Sequence, residues 1–260
     1  MDGEIFLRHE NEGIAWYSFV PLDKMGFFSH WITTRLGGLS KGAYASLNLG
    51  HHVDDEPSDV EKNREKVRNV FCGGKSIYTS KQVHGNGVLL VTPKIIKKYE
   101  ADCLMVDEPD VPAAILTADC LPVILAAPSK KIAGVVHAGR KGIFLQTVPT
   151  AVAAMAMFSR ADPSEITAAI GPGIRGCCYG VGNEIFTAGY QSFLKYKKSG
   201  NLDMPKAAYD QLVSAGVLPE NIYDCGVCTS CNNGEFYSYR KEGGKTGRFM
   251  TGVYIKPLTV

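Results

Sequence analysis

Two apolar runs, residues 121–127 and 132–136, have the length and β-branching of buried strands and flank the polar turn Pro128-Ser129-Lys130-Lys131. Closed as an antiparallel hairpin in its simplest register, the pair sets Cys120 opposite Gly139. His137 then lies two positions along the same face, about 7–8 Å away at Cα, within side-chain reach. The pattern elsewhere mixes both periods. Strands are expected at 13–20, at Trp31-Ile32-Thr33-Thr34-Arg35 running into Gly37-Gly38, and at 76–83, 88–91, 101–107 and 111–116. Ser58-Asp59-Val60-Glu61 has the spacing of a capping box and predicts a helix to about Phe71, stopped by Gly73-Gly74. Gly142 opens an Ala- and Met-rich helix to about Phe158, which Pro149 kinks or splits. A strand at 165–170 leads into Gly171-Pro172-Gly173. Amphipathic helices follow at 181–197 and 206–215, the second between Pro205 and Gly216. Strands at 221–227, 236–240 and 248–255 end the chain. No repeat or linker divides it, so residues 1–260 are expected to form one α+β domain with mixed sheets flanked by helices.

Composition narrows the class. A chain of 260 residues can bury a core without disulfide staples. A net charge of +2 and no long basic run leave no argument for a nucleic-acid or membrane partner. The start, MDGEIFLRHENEG, lacks the basic and apolar regions of a secretory signal, and no apolar run approaches the roughly 18 residues of a membrane span. A cytoplasmic location is expected, with the eight cysteines present as thiols or ligands.

His84, Cys120 and His137 each fall at an expected strand end beside Gly or Pro, where side chains line an open face. Two imidazoles and a thiolate suit zinc and leave a fourth position open. The same pairing of thiol and imidazole suits a Cys-His nucleophile, and a buried Cys with a satisfied His is the plain structural alternative. A rival metal site is Cys225-x-x-Cys228-x-x-Cys231, which lacks a local fourth ligand; Cys177-Cys178 would have to come from far along the chain. His51-His52-x-Asp54 invites a metal reading, but neighbouring residues of a strand face opposite ways, and an exposed loop explains it as well.

The motifs Thr117-Ala118-Asp119-Cys120-x-Pro122 and His137-Ala138-Gly139 resemble those of the YfiH family, known variously as polyphenol-oxidoreductase laccases, purine nucleoside phosphorylases and peptidoglycan editing factors. Thr34-Arg35-x-Gly37-Gly38, Ser46-Leu47-Asn48-Leu49-Gly50, Gln82-Val83-His84-Gly85, Ala101-Asp102, Tyr237-Ser238-Tyr239-Arg240 and Gly247-Arg248 extend the likeness in the family's order. The resemblance implies a layered α+β domain, similar to the catalytic domain of cytotoxic necrotizing factors. It implies one metal, usually zinc, on His84, Cys120 and His137. It also implies purine nucleoside phosphorolysis and adenosine deamination, with nucleoside and phosphate as partners. At family-matching positions, Arg35 with Lys141 or Arg240 is expected to hold phosphate, and Asn48 and Gln82 to bond ribose or base. The family usually has Trp-Arg after His-Ala-Gly; this chain has Arg140-Lys141. The alternatives are a Cys-His hydrolase in peptidoglycan precursor editing and a copper-dependent polyphenol oxidoreductase. A multicopper enzyme would have to build most of a second cluster from His9, His30, His51 and His52.

Overall fold

In the computed structural model, which describes residues 5–95, 99–187 and 189–257, the hairpin forms the middle of a sheet buried on both faces. In chain order the elements are β1 (Phe6–Asn11), β2 (Ile14–Phe19), α1 (Val20–Asp23), β3 (Phe28–Thr33), α2 (Pro57–Cys72), β4 (Val88–Leu90), β5 (Cys103–Val106), β6 (Ala113–Thr117), β7 (Leu121–Ala127) and β8 (Ile132–Ala138). There follow α3 (Arg140–Phe144), α4 (Thr147–Ser159), β9 (Thr167–Ile170), β10 (Lys197–Lys198), β11 (Asn201–Leu202), α5 (Met204–Ser214), β12 (Ile222–Asp224) and β13 (Phe249–Ile255). One sheet has the order β1-β2-β3-β13-β6 and is antiparallel throughout. The other has the order β12-β9-β7-β8-β5-β4, with parallel pairs at its two edges. No helix among the described residues is long and apolar enough to cross a membrane.

The continuous apolar runs of β7 and β8 follow from their position, since strands covered on both faces have no polar side. Val123, Leu125 and Val136 pack against α3, α4 and α5. Ile124, Ala126 and Val135 point the other way, onto Ile32, Ile115, Phe249 and Val253 of the antiparallel sheet. The outer face of that sheet is covered by Leu47, Leu49 and Val67 of α2. The layers are therefore helix, sheet, sheet, helices. Each fully buried Val, Leu, Ile or Phe contributes about 1.5–3 kcal/mol of transfer free energy, which is why the chain needs no cross-links.

Several expected elements differ. Residues 181–197 do not form a helix: Asn183–Phe186 and Gln191–Tyr196 are separate 3-10 turns, and Gly189 between them has φ +92. The apolar spacing there belongs to Phe186, Phe193 and Tyr196, which tuck individually into the core beside Phe144. The capping box does not form, because α2 starts earlier, with Glu56 as its cap and Pro57 at the first position. Pro149 lies in the first turn of α4 because Gln146, at φ +62, has already split the helix. Residues 76–83 make only isolated bridges, at Tyr78 and Lys81. Residues 236–240 are not a strand, since Glu242 takes the Ser238 amide and Asp119 that of Arg240. The polar edge strand β1 carries too few apolar residues to be read from the pattern.

Candidate metal centre

The hairpin adopts the expected register, with Leu121 opposite Ala138 and Pro122 opposite His137. Cys120 and Gly139 therefore stand just past the last ladder pair, at the end of the sheet where the layers open. The third residue, His84, arrives on a loop that needs a tight turn, and its own backbone is left-handed at φ +58. That conformation is uncommon for a residue with a side chain.

Asp102, fully buried just before β5, holds the turn. Its carboxylate accepts the amides of Val83 (3.3 Å), His84 (3.0 Å) and Gly85 (2.7 Å). The same carboxylate lies 2.7 Å from His137 Nδ1, and the Asp102 carbonyl accepts the His137 amide at 2.7 Å. One acid thus places two of the three residues. With Nδ1 donating to Asp102, the lone pair of His137 sits on Nε2, the arrangement common to metal-ligating histidines. Burial would raise the Asp102 carboxyl, but His137 and the amides of Gly85 and Val83 hold it below the usual carboxylate range.

The ligand atoms of His84, Cys120 and His137 all lie within 4.8 Å of one another. The two imidazoles meet edge to face, with centroids 4.7 Å apart. Burial alone would push the Cys120 thiol up; the charge and hydrogen bonds of His137 and His84 outweigh it and bring the thiol down to about 6. Burial would lower His137, but Cys120 and Asp102 raise it to about 9. Without a cation the pair is a thiolate beside an imidazolium. With one, the same thiolate and the Nε2 lone pair are ready-made soft and borderline ligands, so the donor set fits zinc or copper chemistry.

Gly139 is the spacer that admits this cluster. A Cβ there would lie 2.9 Å from Cys120 Sγ and 3.0 Å from His84 Cδ2. Gly139→Ala is expected to displace both side chains and weaken metal binding by about tenfold or more, by analogy with the cost of disturbing ligand orientation. Competition with a chromophoric chelator measures this. An unchanged affinity would place the metal elsewhere.

A cavity of about 980 Å³ opens over the three residues. Arg140, Arg240, Arg248 and Lys81 give its wall a positive character, and Tyr179 and Tyr239 supply aromatic surface. Arg240 lies over the Tyr179 ring at 5.0 Å, and Arg248 over Tyr239 at 5.8 Å. Gln82 and Arg240 thus line the cavity as expected, although Gln82 spends its amide on both backbone groups of Leu116. His51 and His52 also reach the cavity.

The other expected substrate residues lie off it. Lys141 is exposed outside the wall, and its place at the cavity is taken by Arg140. Asn48 is buried; it accepts the amides of Gly50 and Arg248 and donates to Asp55, so it positions Arg248 from behind. Arg35 bonds the carbonyls of Ala45 and Asn233, pairs with Glu242 at 3.0 Å, and stacks on Tyr237 at 4.4 Å. Its guanidinium ties three loops together away from the cavity lining, a placement that favours a structural role over the expected hold on phosphate. Arg35→Lys loses the planar fork and should destabilise the fold by about 1–3 kcal/mol, the cost of unsatisfied buried partners. Denaturant unfolding beside the KM for phosphate checks this; a raised KM with unchanged stability would restore the anion role. Sequence reasoning missed the roles of Asp102, Tyr179, Tyr239 and Arg248.

The fold and this centre together define an α+β protein with a three-residue metal-competent site beneath a cationic, tyrosine-walled cavity. Residues 29–256 match the family described as multi-copper polyphenol oxidoreductase laccase, and the chain belongs to this YfiH family. It is 34% identical over 242 residues to the protein named purine nucleoside phosphorylase YlmD of Bacillus subtilis, covering 86% of this chain and 87% of that one. It is 31% identical over 234 residues to purine nucleoside phosphorylase YfiH of Escherichia coli, covering 86% and 92%. The crystal structure of YlmD from Geobacillus stearothermophilus superposes with a TM-score of 0.86 at 30% identity, covering 98% of this chain and 100% of that one. That of the Bacillus licheniformis hypothetical protein YfiH gives 0.84 at 28%, covering 96% and 99%.

Proposed function

We propose that this chain is a zinc-dependent purine nucleoside phosphorylase, with adenosine deamination as a second reaction of the same cavity. The observation that carries the reading is the convergence of His84, Cys120 and His137 on one point under a wall of arginines and tyrosines. The names of its relatives agree with the phosphorylase part of this reading.

A nucleoside needs an aromatic or apolar wall for its base, and Tyr179 and Tyr239 offer rings for stacking, worth roughly 1–3 kcal/mol per base. Phosphate needs fixed cationic donors, and Arg140, Arg240 and Arg248 project from three separate segments around the cavity. Holding both reactants together converts a bimolecular encounter into a local one. When bound at the three residues, zinc supplies Lewis acidity for polarising an oxygen or a water. Asp102 keeps His137 in its Nε2-presenting tautomer, and Gly139 leaves the ligands their space. Arg140, where the family usually has Trp, presents a guanidinium plane instead, 5.9 Å from the Phe144 centroid.

The lowered Cys120 thiol favours a second reading, a Cys-His hydrolase. A multicopper oxidase has less support. His9 bonds Ser18, and His30 accepts the Phe19 amide within the antiparallel sheet, so neither is placed to extend the centre.

Inosine, guanosine, adenosine and methylthioadenosine incubated with and without phosphate separate these readings. Phosphorolysis releases free base only with phosphate and yields a pentose 1-phosphate. Base release that ignores phosphate and yields free pentose would overturn the phosphorylase reading, and ammonia from adenosine tests the deaminase part.

A further inference from the structure

The described residues hold a second group of possible ligands, away from the hairpin. Cys177, Cys178, Cys228 and Cys231 bring their four sulfurs within 4.8 Å of one another. Cys225, expected beside Cys228 and Cys231, is not among them. Its sulfur accepts the Val227 amide at 3.4 Å, and burial pushes its thiol up to about 12. With Cys225 set aside, the third and fourth sulfurs come from the distant Cys177-Cys178 pair.

We propose that these four cysteines form a zinc site that staples one wall of the cavity. The spacing carries the assignment. Cys178 Sγ is 3.4 Å and Cys177 Sγ 3.7 Å from Cys231 Sγ. A tetrahedral ion with Zn–S bonds of about 2.3 Å holds its sulfurs about 3.8 Å apart. A disulfide would bring two of them to about 2.0 Å. An iron–sulfur cluster, with several irons between the thiolates, spreads them farther.

The backbone is built for the same purpose. Residues 176–178 are a turn, and the amides of Cys178 and Tyr179 both donate to the Arg175 carbonyl. Cys228 pairs with Gly173 in a parallel bridge, and Asn232 closes the Cys228–Cys231 turn onto the Cys228 carbonyl at 3.0 Å. Arg175 fixes the two segments further through both oxygens of Asp224. Cys177 and Cys231 are exposed, which leaves an entry path.

The staple has a consequence for the cavity. Ile174 and Tyr179 flank the first cysteine pair, and Tyr239 and Arg240 follow the second; all four line the wall. Thr229, next to Cys228, donates at 2.6 Å to Asp119, which also takes the Ser238 hydroxyl and the Arg240 amide. The ion would hold these loops in register without touching substrate, and its presence does not depend on the phosphorylase reading.

Metal analysis of the full chain, purified without chelator, tests this. The wild type should carry two equivalents of zinc, and Cys120→Ala one. A Cys177→Ser/Cys231→Ser double variant, altered only at exposed positions, should also carry one, and the combined variant none. Cobalt-loaded Cys120→Ala should show the intense thiolate-to-metal absorption of a tetrathiolate centre, which decides the matter even if the double variant folds poorly. Wild-type metal content in the double variant, absence of that absorption, or a native mass reporting a disulfide within the tetrad would overturn the proposal. Iron in place of zinc would overturn the assignment of the ion.

Discussion

Asp102→Asn should weaken both the fold and the proposed metal centre at His84, Cys120 and His137. The carboxylate accepts three amides and faces His137 Nδ1, and an amide cannot accept from all of them. At least one buried donor is then left unpaired, at about 1–3 kcal/mol. The His137 tautomer is no longer fixed, so metal affinity should fall about 10–100-fold, and turnover with it. The pH dependence separates this role from simple packing. The folded-state value of Asp102 lies below its unfolded value of about 3.9, so its stabilisation is complete above that pH and is lost as pH falls through the folded value. The Asn variant should lack that acid limb while being less stable at neutral pH. Calorimetric melts across pH 2–7, with metal affinity measured in parallel, check both parts. A variant with wild-type metal affinity would reduce Asp102 to a structural residue.

Cys120→Ala has the second large effect. Loss of the thiolate should abolish binding at the hairpin and lower phosphorolysis by a factor on the order of 10³, since a metal's charge stabilisation is worth several kcal/mol and each 1.4 kcal/mol is tenfold. The fold should survive, because Cys120 is only partly buried and stands outside the main apolar clusters. A nucleophilic thiol would give the same loss of activity, so a second variant is needed. Cys120→Asp keeps an anionic ligand without the sulfur nucleophile. Partial recovery of metal and activity is the expected result, and recovery of neither favours the Cys-His hydrolase.

The hairpin and the meeting of Cys120 with His137 were legible because strand pairing is a local rule, whereas His84 was singled out by its place at an expected strand end and by the family resemblance. Two apolar runs and one short turn leave a single simple register, and side-chain alternation then decides who faces whom. What was not legible depends on segments that meet late in the fold. Asp102 is an ordinary acid until β5 pairs with β8 and the loop of His84 closes over it. Arg35 sits at a strand end beside two glycines, as an anion ligand does, yet Glu242, over two hundred residues away, claims it. The cysteine tetrad was half visible. Cys228-x-x-Cys231 has the spacing of a metal knuckle, but it takes the pairing of β9 with β12, the Gly173–Cys228 bridge and the Arg175–Asp224 pair to bring Cys177 and Cys178 to it. The aromatic spacing of residues 181–197 imitated a helix because burial selects apolar side chains in turns as well as in helices.

Removal and return of metal, read on inosine, tests the account most directly. Hypoxanthine release by the wild-type chain should require phosphate, fall to background after chelation, and recover when zinc is added back. A chelated protein that still cleaves inosine at the full rate would contradict the central claim that the centre at His84, Cys120 and His137 works through a metal.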